Sequence, residues 1–275
     1  MTSRKFIVAS RDVEATAAKD PRVNTPPRIL VLTPVKNAST HLLRHVELLE
    51  ALDWPRTQLT LGMLEGDSSD GSWDQMQALL PRLEARCAAV KLLHHDYGAV
   101  APQGVPRWDA ALQLDRRKIL ARARNRLLMS ALGDEDWVLW IDVDMIDYPP
   151  DIIAQLLATG FDVVTPNTVT SPGGNSFDLN SWADAGATHM HDRRGSGAIR
   201  LDAVGGTMLL VRADLHRDGL IFPPFPYGIG SSRIRPHAGP WGIGEIETEG
   251  LGIMASDMGV QCWGLPDLEV FHYRG

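Results

Sequence analysis

The chain of 275 residues is 44% hydrophobic and 22% charged, which is enough apolar content to bury a sizeable core. Its formal net charge of -7 excludes a general attraction to polyanions, so a nucleic acid partner would require a local basic patch. Two cysteines, Cys87 and Cys262, exclude a disulfide framework, and no stretch approaches the roughly 20 apolar residues of a membrane span.

Residues 1–27 read as a polar N-terminal arm closed by Asn24-Thr25-Pro26-Pro27. Its Phe6-Ile7-Val8-Ala9 run is too short for a secretory signal, so a cytoplasmic location is expected. Residues 28–275 are expected to form one domain. Arg28 to Leu32 is a buried strand by its β-branched content, Thr33-Pro34-Val35-Lys36-Asn37 breaks it, and Ser39 to Leu52 carries leucines at helical spacing. A second strand, Gln58 to Leu64, runs into Glu65-Gly66-Asp67-Ser68-Ser69-Asp70-Gly71-Ser72 before a helix from Trp73 to Ala88. Hydroxyl and acidic residues there suit the donors of a nucleobase or ribose; they equally suit a helix cap. Val90 to His94 reads as a third strand, on which His94, His95 and Asp96 alternate faces and so form no metal site. A helix from Trp108 to Leu132 carries many cations, most of them solvated and one or two able to reach a diphosphate.

Trp137-Val138-Leu139-Trp140-Ile141-Asp142-Val143-Asp144-Met145 organises the rest: a buried-strand pattern that ends abruptly in two carboxylates. Acids just past the carboxyl end of a central parallel strand stand where open α/β sheets bind ligands, so the pair is a candidate metal and diphosphate site. A short helix to Ala158 and a strand from Phe161 to Pro166 follow. Asn167 to Arg200 is a long polar stretch, read as an acceptor-binding loop in competition with disorder, with His189 and His191 as loop residues. A strand from Ala203 to Val211 passes through Gly205 and Gly206, which permit close approach of a ligand or of another backbone. Trp241 offers a platform for a sugar ring, and a helix from Glu245 to Met258 begins with Glu245, Glu247 and Glu249. Strand-like Val260 to Trp263 and Leu268 to His272 close the chain.

Several stretches together resemble the glycosyltransferases of family 62, the fungal Golgi α-mannosyltransferases of the mannan polymerase complexes. They are Ile29-Leu30-Val31-Leu32-Thr33-Pro34, Asp67-Ser68-Ser69-Asp70-Gly71-Ser72, Ala123-Arg124-Asn125-Arg126-Leu127-Leu128, Trp140-Ile141-Asp142-Val143-Asp144, Val204-Gly205-Gly206-Thr207-Met208-Leu209-Leu210-Val211, Glu245-Ile246-Glu247-Thr248-Glu249-Gly250 and Gly264-Leu265-Pro266. The resemblance implies an α/β fold of the GT-A type, a mostly parallel central sheet flanked by helices. Residues 28–147 would be its nucleotide-sugar-binding half and 148–275 its acceptor-binding half. It also implies a GDP-mannose donor, a divalent cation such as Mn2+, and retention of anomeric configuration. The chain departs from the fungal pattern in lacking an N-terminal anchor and in its 167–200 loop.

Sugar transfer from a nucleoside diphosphate needs the leaving diphosphate neutralised, which a cation held by carboxylates achieves. Asp144 is the leading ligand, Asp142 reaches the metal or the ribose, and His272 supplies an imidazole that suits Mn2+ better than Mg2+. Thr33, Pro34, Lys36, Asn37, Asp67, Ser68, Arg117, Arg124, Asp142, Gly205 and Gly206 are the expected nucleotide-sugar contacts. With Asp144 as a further catalytic group, Glu247 or Glu245 would orient the acceptor hydroxyl beside Trp241, or act as base if transfer inverts. The acceptor is expected to be a glycan or small molecule. Competing readings are a hydroxymethylated pyrimidine in DNA as acceptor, a UDP-sugar as donor, and a nucleotide-sugar-binding subunit without transfer activity.

Overall fold

The computed structural model describes residues 25–98, 110–235 and 244–274. The chain alternates strands and helices: β1 (Ile29–Val35), α1 (Leu42–Ala51), β2 (Leu59–Glu65), α2 (Ser72–Arg86), β3 (Ala89–His94), α3 (Ala110–Ala131) and β4 (Trp137–Ile141). Then come β5 (Met145–Asp147), α4 (Ile152–Ala158), β6 (Val163–Val169), the two-residue strands β7 (Trp182–Ala183) and β8 (Thr188–His189), and β9 (Ile199–Leu201). Next are β10 (Met208–Arg212), α5 (Ala213–Arg217), α6 (Glu247–Asp257) and β11 (Cys262–His272).

A nine-stranded sheet runs in the order β3-β2-β1-β4-β10-β6-β11-β5, with β9 also on β11. From β3 to β4 every neighbour is parallel, whereas β10 runs antiparallel to β4 and β6, and β11 antiparallel to β5. The parallel half therefore carries the expected architecture, and the second half mixes directions. Both faces of the parallel half are covered, which explains why its strands read as continuous apolar runs. Ile29, Val31, Leu139 and Ile141 point into the cluster under α1, α2 and α4, while Leu30, Leu32, Val138 and Trp140 point into the one under α3 and α5.

Several predicted boundaries shift for identifiable reasons. The strand expected from Ala203 begins only at Met208, because Gly205 and Gly206 are caged by side chains. The helix expected from Glu245 begins at Glu247, because Glu245 forms a backbone bridge with Tyr227 (2.7 and 2.8 Å). The two closing strand pieces are one strand whose register slips between Leu265 and Glu269, around Pro266, which has no N–H to give. The 167–200 stretch is folded throughout: β7 pairs with β8, β9 pairs with β11, and Ser176, Asp178, Ser181 and Trp182 are buried. Among the described residues no helix is long and apolar enough to cross a membrane.

Burial sets the chemistry of several isolated groups. His216 donates Nδ1–H to the Leu220 carbonyl (2.7 Å), its Nε2 meets no partner among the described residues, and burial pushes its pKa down to about 4. The unfolded chain thus binds more protons than the folded one between pH 6.5 and 4, so stability is lost as pH falls through that window. Between pH 7.5 and 5 the wild type should lose about 2 kcal/mol that a His216→Gln variant does not, as read by urea denaturation at both pH values. Burial also pushes the thiols of Cys87 and Cys262 up to about 11 and about 12. Both should resist iodoacetamide at pH 8 in the native protein and react after unfolding, as read by mass spectrometry.

Candidate active site

The parallel strands β1, β2 and β4 end together, and the acidic turn leaves the last of them. Asp142 N donates to the Thr207 carbonyl (2.9 Å), and Tyr273 N donates to the Asp144 carbonyl (3.0 Å), so the turn is held from both sides. Pairing of β5 with β11 sets His272 opposite Met145, and His272 Nε2 stands 3.0 Å from Asp144 Oδ1. His272 Nδ1 lies 2.6 Å from the Tyr273 carbonyl, to which it donates its proton. The Nε2 of a neutral ring then turns a lone pair toward a carboxylate oxygen, an arrangement that is repulsive without a positive charge between the two. Burial opposes charge on both groups, yet each outweighs it in the other: the His272 pKa is raised and that of Asp144 lowered. Two ligands at right angles around a small divalent ion, each about 2.1 Å from it, stand about 3 Å apart. The carboxylate–imidazole pair therefore fits such an ion in spacing and in donor chemistry.

Asp142 does not complete a cage. Its Oδ1 accepts from Arg124 Nη2 (3.0 Å), and burial pushes its carboxyl up to about 6, against the pull of Arg124 and with the repulsion of Asp144. Among the described residues no three His, Cys, Asp or Glu side chains converge to hold an ion. A guanidinium thus engages one oxygen of Asp142, the acid expected to reach the metal or the ribose, whereas Asp144 faces His272.

Arg124 is 2% exposed and lies over the rings of Trp140 (5.6 Å) and Phe222 (5.3 Å). It also donates to the Gly206 carbonyl (3.3 Å), and its Nε is 3.0 Å from Glu247 Oε1. That last contact is an ion pair by distance and is not aligned as a hydrogen bond, so Oε1 meets no aligned donor among the described residues. Glu247 has φ 60°, the left-handed region that a side-chain-bearing residue occupies at a cost of about 1–2 kcal/mol. Its neighbours are saturated. Glu245 accepts from Arg235 N, Nε and Nη2, and Glu249 takes Trp182 Nε1 (3.1 Å), Arg117 Nη1 (2.6 Å) and Arg235 Nη2 (2.7 Å). Of the two glutamates expected to meet the acceptor, Glu245 is sealed beneath Arg235 and Glu247 keeps an oxygen in reserve.

Other expected contacts are spent within the protein. Thr33 is fully buried, donating Oγ1 to the Ile141 carbonyl (2.9 Å) and standing 3.1 Å from His45 Nε2. Asn37 N donates to Ser68 Oγ (2.9 Å), Asn37 Oδ1 accepts from Ser69 N (2.9 Å), and Asp67 accepts from Tyr97 N and Gly98 N. These bonds lace the loops after β1, β2 and β3 together, so Asp67 and Ser68 serve first as loop ties. Pro34 is half-buried in β1, and Lys36 is partly exposed with Nζ 3.9 Å from Asp67 Oδ2. Arg117 turns inward to Glu249 and Glu247 and Arg124 to Asp142 and Glu247, so neither is placed as a diphosphate contact. At Gly205 and Gly206 an added Cβ would sit 2.0 Å from Asp178 Oδ2 and 2.6 Å from Arg124 Nη2, so the close approach of those side chains accounts for glycine there. Trp241 lies outside the described residues.

Two contributors carry no periodic or motif signal in the sequence. Asp178 Oδ2 accepts from Gly206 N (2.9 Å), Thr207 N (3.2 Å) and Thr207 Oγ1 (3.1 Å), and so braces the segment whose Thr207 carbonyl receives Asp142 N. Phe177 stacks on the His272 ring with centroids 3.9 Å apart and planes at 19°. The one available hint was a Phe and a Leu flanking Asp178 in an otherwise polar stretch.

The sequence model of the Anp1 family matches residues 8–192 and 186–226. Mannan polymerase complex subunit mnn9 of Schizosaccharomyces pombe is 30% identical over 300 residues, which cover 94% of this chain and 83% of that protein. The mannan polymerase II complex ANP1 subunit of Saccharomyces cerevisiae is 27% identical over 288 residues, covering 89% and 55%. Among solved structures, the mannosyltransferase PcManGT from Pyrobaculum calidifontis, in complex with GDP-Man and Mn2+, aligns with a TM-score of 0.55 at 17% identity. That alignment covers 92% of this chain and 59% of the other. GalNAc-T7 with UDP, GalNAc and Mn2+ aligns with a TM-score of 0.55 at 14% identity, covering 90% and 44%. Sheet order, strand ends and these likenesses agree on the GT-A glycosyltransferase fold, and the chain belongs to the Anp1 family of mannan polymerase subunits.

Proposed function

We propose that the chain is a metal-dependent glycosyltransferase that moves mannose from GDP-mannose to a hydroxyl acceptor with retention. The observation that carries this reading is the Asp144–His272 pair at the carboxyl end of β4. Mannan polymerase subunits among the relatives support the sugar, and PcManGT bound to GDP-Man and Mn2+ supports the donor and the cation. Residues 28–147 then hold the donor and 148–275 the acceptor.

Asp144 and His272 would hold the cation, with Mn2+ favoured by the imidazole. When bound, a divalent ion supplies the positive charge that offsets the departing diphosphate. The chain's own residues prepare for this. Tyr273 fixes the imidazole through its carbonyl, leaving Nε2 to face Asp144. Arg124 offsets the charge of Asp142 and so weakens its repulsion of Asp144 across the turn. Glu247, buried at the start of α6, is the group we assign to orienting an acceptor hydroxyl and stabilising positive charge developing on the sugar ring, its Oε1 being the oxygen without an aligned donor among the described residues. Lys36, partly exposed beside the first loop, is a cation on the expected nucleoside side.

The relatives are named as subunits of complexes, which supports a second reading, a subunit that binds nucleotide sugar without transferring it. Variants separate the two. GDP at 100 times its Kd with Mn2+ should stabilise the wild type by about 2.7 kcal/mol in a thermal-shift assay, and Asp144→Asn should erase the Mn2+-dependent part. Glu247→Gln should keep donor binding and lower transfer at least 100-fold, the scale of a lost electrostatic contact to the transition state; an intact biological role in Glu247→Gln, with donor binding lost in Asp144→Asn, would favour the binding subunit. Glu245→Ala should instead cost about 3 kcal/mol of stability, because it leaves Arg235 half-paired beside Glu249.

A further inference from the structure

The stretch read as an acceptor loop does something different at its centre. Ser176 Oγ donates to Asn167 Oδ1 (2.8 Å) and accepts from His191 N (3.1 Å), while Asp178 is tied to Gly206 and Thr207. Phe177, between these buried anchors, donates its N–H to the Thr168 carbonyl (2.7 Å). Its ring lies on the imidazole of His272. Yet Phe177 is 42% exposed, so burial of its own surface is a poor account of its place.

The partners of His272 explain what is lacking without it. Nδ1 meets the Tyr273 carbonyl and Nε2 meets Asp144, and both contacts lie at the ring edge. Edge contacts set where the nitrogens point and resist tilting of the plane only weakly, because torsion about a bond to an sp² ring is broad. A flat apolar face at 3.9 Å supplies the missing wall. Asp178, the next residue, braces the Gly206–Thr207 segment that holds Asp142 N, so one anchored tripeptide supports both sides of the acidic turn.

We propose that Phe177 is a positioning residue that fixes the plane of the His272 imidazole against Asp144. Its consequence for cation affinity rests on the reading of that pair as a cation site. The test uses the full chain with Phe177→Leu, Phe177→Tyr, His272→Ala and the Phe177→Leu/His272→Ala double variant, and takes two readouts. Mn2+ affinity in the presence of GDP is measured by electron paramagnetic resonance. The ring-proton signals of His272 are measured by NMR without metal. Because Phe177 is half-exposed, Phe177→Leu should keep the wild-type Tm. It should weaken Mn2+ binding about 10-fold, the scale of a lost ligand-orienting partner, while Phe177→Tyr stays within about 2-fold of wild type. In the His272→Ala background Phe177→Leu should add nothing. The His272 ring protons should lie upfield in wild type and Phe177→Tyr and relax in Phe177→Leu, because the ring that shields them is gone. Unchanged His272 signals in Phe177→Leu overturn the proposal, as does a Mn2+ loss of the same size without His272. A wild type that binds no Mn2+ defeats the cation reading alone, since nuclear Overhauser contacts between the His272 ring and Tyr273, kept in Phe177→Tyr and altered in Phe177→Leu, still decide whether Phe177 holds the imidazole.

Discussion

One buried guanidinium holds the two halves of the site in relation. Arg124 reaches from α3 to Asp142 on one side and to Glu247 on the other, and lies over the rings of Trp140 and Phe222. Removing such a charge from water costs several kcal/mol, and only close anionic partners offset it. Three otherwise separate elements, the end of β4, the start of α6 and the Gly206 segment, are bound by that requirement to fixed positions around one side chain. The paired glutamates beyond it follow the same rule: Glu245 and Glu249 are buried because Arg235 and Arg117 neutralise them. What distinguishes Glu247 is an oxygen with ionic company and no aligned donor.

The sheet turns this local electrostatics into a site. Its parallel half brings the loops after β1, β2 and β3 to one edge, and these loops bond mainly to each other, giving a stiff floor. Its mixed half returns β11 beside β6 and β5, which carries an imidazole to a carboxylate far away in the chain. Opposite charges thus meet at the strand ends, where a ligand can approach from outside the sheet.

Much of this was legible in the residues. Strands buried on both faces announce themselves as unbroken apolar runs, so β1 and β4 were plain, and so was the place of the acids beyond Ile141. The pairing of Asp142 with Arg124 was not, because that depends on which face of α3 looks inward. Arg117 and Arg124 stand two helical turns apart and share the inward face, yet a helix laid against both sheet and α6 shows almost no amphipathic contrast. Asp67 and Ser68 read two ways for a different reason: hydroxyls and carboxylates that suit a ribose suit backbone amides equally well. The polar composition of 167–200 concealed a folded segment because its Ser and Asp side chains are used up on main-chain groups, a pattern that leaves no period to detect.

The register of β11 also has a consequence for how the molecule comes into being. Asp144 is made early and His272 late, and they meet only when the last strand has seated against β5. A growing polypeptide on the ribosome has no complete pair with which to capture an ion, however much of the parallel half has already formed. Ions or nucleotides that depend on the pair can therefore select for the finished fold but cannot guide its earlier stages, and any local fraying of the closing strand abolishes the pair at once.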